Sequence, residues 1–207
     1  VFFIDGSEIN ATVFRQEGIY YIGLYRGVIT ELESVVQTII LENLSEEIKG
    51  LKIENKYDVV ALFSSEDFPE YQLASCFANN ILFLAVYHEI GHIFSGHCEE
   101  SDHLFFEVNQ DDISAGLESQ ARELMADFFG IINSMGIYHY GNHESYEEYL
   151  NNQIRYLISL YSLFIYFDRG GSGTSFDELV KRSHPSAAVR FLYALDVVEA
   201  ETAFELK

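Results

Sequence analysis

Residues 87–94 read YHEIGHIF, and the five at their centre, His88-Glu89-Ile90-Gly91-His92, decide how the rest of the chain is read. On an α-helix two side chains four positions apart project from one face about one turn from each other, so both imidazoles can reach one cation. Glu89 lies roughly 100° further round the axis, outside the ligand pair but within reach of a water beside the cation. The surrounding run supports a helix: Pro69 suits a first turn, apolar residues continue through Phe94, and Gly96 can end it. Burying two histidines and a glutamate there without a partner would cost on the order of several kcal/mol, which a shared cation avoids. Zinc is the expected ion, because it takes neutral imidazole and carboxylate ligands and makes water nucleophilic near neutral pH.

A catalytic zinc usually takes three protein ligands, so another element must supply the third. Glu123 is the best candidate, in the helical stretch ESQARELMAD at 118–127, with Glu118 as its competitor. Asp127 falls one turn beyond Glu123 on the same face and can accept the second N–H of a ligand histidine. His97 and His103 also follow the motif, but neither stands at the six-residue spacing of a three-histidine site. His97 and Cys98 could approach the metal if the helix unwinds there, but the carboxylate is the readier ligand and they, with His103, read as solvated loop residues.

Outward from this helix the chain reads as α+β, mainly helical with a small N-terminal sheet. Residues 1–25 are rich in Val, Ile, Phe and Tyr, broken at Asp5-Gly6 and Glu17-Gly18, as short strands would be. Helical spacing follows over 27–47, then a strand, YDVVALF at 57–63, the expected edge along which a peptide substrate would lie. Helical patterns recur over 117–135, 146–167 and 185–204, with the glycine-rich 170–173 between the last two. A single domain is expected over 1–207, the sheet and first helix in 1–65 and a helical catalytic part in 66–207. Tyr138, His139, Tyr140 and His143 form an aromatic and histidine-rich loop read as surface.

Composition narrows the partners. With 33 acidic against 12 basic residues the net charge is −21, which opposes the phosphate neutralisation that nucleic-acid binding needs. The longest apolar stretch, 156–167, is too short for the roughly 20 residues of a membrane span. Cys76 and Cys98 form no CxxC pair and Val1–Asn10 carries no basic n-region, so cytoplasm is the expected compartment.

Three blocks in order, His88-Glu-Ile-Gly-His92, Glu123-Leu-Met-Ala-Asp127, and His184-Pro185 with Arg190 six positions after the histidine, resemble the gluzincin families typified by HtpX-like peptidases. The small form without membrane helices also resembles the phage-exclusion Lit peptidases. The resemblance implies a zincin-like fold with His88, His92 and Glu123 holding Zn2+ and Asp127 behind them. It further implies His184 as the group stabilising the oxyanion, a task Arg190 has the charge to share. The expected activity is endoproteolysis of a protein substrate, with Glu89 taking a proton from water and passing it to the leaving nitrogen, in phage defence or as a toxin. A repressor-cleaving regulatory protease of the ImmA and IrrE kind, whose motif is similar, is the alternative enzyme. A metal-stabilised binding module, whose acidic surface attracts a basic partner, is the alternative without catalysis.

Overall fold

The computed structural model describes residues 1–32, 34, 70–98, 113–139, 146–168 and 176–205. Strands β1 (Phe2–Ile4), β2 (Ala11–Gln16) and β3 (Ile19–Tyr25) form the N-terminal sheet in the order β1-β3-β2. β2 and β3 make an antiparallel hairpin turned at Glu17-Gly18, with Ala11 opposite Leu24 and Gln16 opposite Ile19. β1 lies parallel to β3 on the other side, Phe2 opposite Gly23. The breaks expected at Asp5-Gly6 and Glu17-Gly18 both separate strands.

Beyond the sheet the described chain is mostly helical: α1 (Arg26–Thr30), α2 (Glu70–Phe94), α3 (Ile113–His139), α4 (Tyr146–Asp168), α5 (Phe176–Val180) and α6 (Ala187–Glu205). This is the α+β architecture expected, with the helix over 70–94 where the motif demanded it. The short α5 carries no apolar period long enough to read from sequence. The strand expected over 57–63 and most of the helix over 27–47 lie outside the described residues. None of the described helices is long and apolar enough to cross a membrane.

Among the described residues the core is built mainly by α2, α3, α4 and α6, with Ile9, Val28 and Leu32 joining it from the N-terminal part. Phe77, Ile81 and Leu84 of α2 meet Ile131 and Met135 of α3, Tyr156, Leu160, Leu163 and Phe164 of α4, and Ala194, Val197 and Val198 of α6. These positions recur every three or four residues, so each helix turns one stripe inward. Two neutral hydrogen-bonded pairs sit inside it, Asn80 Nδ2 donating to Ser159 Oγ at 3.0 Å and Ser134 Oγ with Tyr156 OH at 2.5 Å.

The closest helix crossing is between α2 and α3, which run antiparallel. A methyl group on Gly91 would stand 3.0 Å from the Ala126 backbone, and one on Gly130 would stand 3.2 Å from the His88 nitrogen. Glycine at both places lets the two backbones meet, which short-chain residues alone permit. The inward stripes of both helices therefore continue, at that crossing, into the residues singled out by sequence.

Candidate metal centre

On α2 the stripe Phe77, Ile81, Leu84 extends one turn to His88 and another to His92; on α3 the same periodicity runs back from Ile131 to Asp127 and Glu123. Because the helices are antiparallel, the two polar ends coincide. His88 Nε2 lies 3.1 Å from His92 Nε2 and 3.4 Å from Glu123 Oε2, and His92 Nε2 lies 3.5 Å from Glu123 Oε1. Donor atoms about 2.0–2.1 Å from a tetrahedral ion stand about 3.3 Å apart, so the spacing suits one. Among the described residues, His88, His92 and Glu123 form the group whose ligand atoms lie close enough together to hold a metal ion.

The side chains of this group are also held in place from behind. Asp127 is fully buried and accepts from His88 Nδ1 at 2.9 Å, which turns the Nε2 of that ring toward Glu123 and His92. Arg190 of α6 donates to Asp127 twice, Nε to Oδ2 at 2.7 Å and Nη2 to Oδ1 at 2.6 Å, and its guanidinium lies 4.5 Å from the Phe164 ring centroid. A bidentate pair of this kind fixes a carboxylate in two dimensions, and the ring covers the cation that holds it. The relay Phe164, Arg190, Asp127, His88 thus joins three helices to one ligand nitrogen.

Ionisation follows from this geometry. Burial would raise the Asp127 carboxyl, but the Arg190 charge and the His88 hydrogen bond hold it well below the usual carboxylate range. Burial would likewise raise Glu123; the bond and charge of His88, then the charges of His184 and His92, bring it down to about 2. Burial opposes charge on His88 too, yet Asp127 and Glu123 override it and push the ring up to about 10. His92, desolvated and beside a charged His88, is lowered to about 4. Without an ion, the balance of these effects favours positive charge on His88, beside an ionised Glu123 and a neutral His92. Two imidazoles and an ionised carboxylate facing that point are the donor chemistry a divalent cation needs.

Glu89, next in chain to His88, is buried, and desolvation raises its carboxyl to about 7 against the lowering charge of His88. His184 occupies the rim. Its side chain is 60% exposed, Nε2 stands 3.4 Å from Glu123 Oε2, and Nδ1 is 2.8 Å from Ser183 Oγ.

Helix α6 opens later than its sequence suggests. Ser183 reads as its cap and Pro185 as its first turn, yet Ser186 takes the cap position, its Oγ accepting from Val189 N–H at 3.4 Å and its carbonyl from Arg190 N–H at 3.0 Å. That shift leaves Ser183 to engage His184 instead.

The structure brings His88, His92, Glu123, Asp127, His184 and Arg190 together, and Glu89 follows from the position of His88. Glu118, the competing ligand, is instead exposed, its Oε1 accepting from Arg122 at 2.7 Å. Arg190, proposed with His184 for the oxyanion, spends its Nε and Nη2 on Asp127. His97 and Cys98 are not the solvated residues expected: Cys98 is buried, and His97 Nδ1 lies 2.9 Å from His92 Nδ1. The signal for this was Gly96, whose positive φ of 74° turns the chain back on the helix it ends. His103, Tyr140 and His143 lie outside the described residues. No known protein family, characterised protein or solved structure matches this chain.

Proposed function

We propose that this chain is a zinc-dependent metallopeptidase of the gluzincin kind, with a zincin-like catalytic fold, acting on a protein substrate. The observation that carries the reading is the meeting of three side chains, His88, His92 and Glu123, through contacts of 3.1, 3.4 and 3.5 Å, with His88 oriented by a buried carboxylate. His88 and His92 through Nε2, and Glu123 through its carboxylate, would hold the ion. Bound there, zinc supplies a Lewis acid that polarises a carbonyl and activates water near neutral pH.

The chain's own residues supply the rest. Glu89 is buried beside the ligands with an affinity for protons near neutrality, which suits a group that takes a proton from attacking water and returns it to the leaving nitrogen. Asp127 holds the proton of His88 Nδ1 and so keeps Nε2 as the ligand atom. His184, exposed at the rim with its Nδ1 at Ser183 and its Nε2 beside Glu123, is the group that would approach a substrate carbonyl and donate to its developing negative charge. Arg190, committed to Asp127, acts on the reaction only through that carboxylate.

The test pairs metal analysis with proteolysis. The purified protein should contain about one zinc per chain, and His88→Ala should lose both metal and cleavage. Glu89→Gln should keep the metal while cleavage falls by about 10²–10⁴-fold, the usual worth of a general base. A metal-stabilised binding module would tolerate the Glu89 change, and a chain that takes up no zinc would end the proposal. Cleavage is read from new protein termini after incubation with a proteome, since the substrate is the unknown.

A further inference from the structure

Each ligand histidine has a second nitrogen, and the two are satisfied differently. His88 gives its Nδ1 proton to Asp127. His92 Nδ1 instead faces a neighbour on its own chain segment, His97 Nδ1, at 2.9 Å, with the rings 60° apart. The end of α2 brings this about. His97 N–H donates to the His92 carbonyl at 3.0 Å and Gly96 N–H to the Ile93 carbonyl at 3.1 Å, with Gly96 at φ 74°. This is the helix ending in which the chain reverses at a left-handed residue. The reversal sets residue 97 over residue 92.

Two ring nitrogens at 2.9 Å require one to donate and the other to accept. When His92 keeps the lone pair of Nε2 for a cation, its proton must sit on Nδ1. We infer that His97 is the positioning residue of His92, a neutral imidazole whose Nδ1 accepts the His92 Nδ1 proton and so fixes that ligand's tautomer and ring plane. The inference rests on the metal-centre reading and deepens it. One ligand ring is thereby held by an ionised carboxylate reaching across from α3, the other by an uncharged ring supplied by the helix end.

The test compares the whole chain with His97→Gln, which keeps an oxygen acceptor, and His97→Phe, which fills the volume without one. Zinc affinity is measured by chelator competition and the ligand field by the visible spectrum of the Co2+ form. His97→Phe should weaken zinc binding by about 10–100-fold and change the Co2+ bands, with His97→Gln near the parent in both. Equal affinity and equal spectra in all three would overturn the inference while leaving the metal centre standing. So would equal losses in Gln and Phe, which would mark a packing role. A parent chain that binds neither Zn2+ nor Co2+ would overturn both readings together. Should His97→Phe not fold, nitrogen-15 NMR of histidine-labelled, zinc-loaded parent decides: the inference requires a proton on His92 Nδ1 and none on His97 Nδ1, and the reverse overturns it.

Discussion

Helices α2 and α3 are paired twice along their length, once through hydrocarbon and once through charge. At one end Phe77, Ile81 and Leu84 pack with Ile131 and Met135; at the other His88 and His92 face Glu123 and Asp127. Backbone geometry hardly changes between them, since one helix crossing serves both. What changes is the condition for stability. Apolar side chains need only fit, and a methyl group more or less is absorbed with a modest loss. Ionisable ones must each find a partner, because an unpaired buried charge costs as much as a large cavity does. The polar end therefore recruits Arg190 from α6 and a covering ring from α4, while the dry end is content with two neutral pairs, Asn80 with Ser159 and Ser134 with Tyr156.

The sharpest way to break this contrast is to remove one member of the buried pair. Asp127→Ala leaves Arg190 buried without its counter-charge and should cost about 3–5 kcal/mol in urea unfolding, with zinc affinity lost as well. The double change Asp127→Leu with Arg190→Met should recover most of that stability, as apolar replacements of buried ion pairs do, without recovering zinc binding. Recovery of both would show the relay to be packing alone.

At the dry end Leu84→Ala should cost about 2.7–5.0 kcal/mol, the range for a fully buried leucine, yet leave zinc affinity where it was. Between the two ends, Gly91→Ala places a methyl group 3.0 Å from the Ala126 backbone. It should cost about 1–3 kcal/mol by overpacking and, unlike Leu84→Ala, weaken the metal site by moving His88 and His92 from Glu123. Chemical denaturation beside chelator competition separates these outcomes.

A further contrast lies in pH dependence, in the metal-free protein. His88, raised to about 10, contributes stability that is complete below its ordinary 6.5 and lost as pH rises toward 10. Glu123, lowered to about 2, contributes stability present above 4.5 and lost as pH falls toward 2. Between 4.5 and 6.5 the lowered His92 and the raised Glu89 act in opposite directions and offset each other. Melting temperature should therefore show a plateau across that window and fall on both sides, the alkaline fall disappearing in His88→Phe. Zinc should remove the alkaline fall as well, since the ion takes the place of the His88 proton.

Much of the site was legible because it is local. His88 and His92, and likewise Glu123 and Asp127, are four apart on helices whose periodicity is plain, so shared faces follow from 3.6 residues per turn. Glu118 competed with Glu123 on the same helix, and nothing within that helix chose between them; the packing of α2 did. The start of α6 was misplaced because Ser183 and Ser186 are equally good caps in sequence, and only the structure shows that Ser186 accepts from Val189 N–H while Ser183 turns to His184. His97 was read as loop because a helix-ending glycine tells where a helix stops but not where the next side chain lands.

By itself the sequence determined the α+β class, the HExxH helix, the two histidines on one face of it and the carboxylates one turn apart on a later helix. Each of these depends on periodicity within one segment. Tertiary structure alone decided that Arg190 belongs to Asp127, 63 positions away, and that Phe164 covers it. Those contacts depend on how closely α2 and α3 approach at Gly91 and Gly130 and on where α4 and α6 then fit, and packing distances between segments leave no period in the chain.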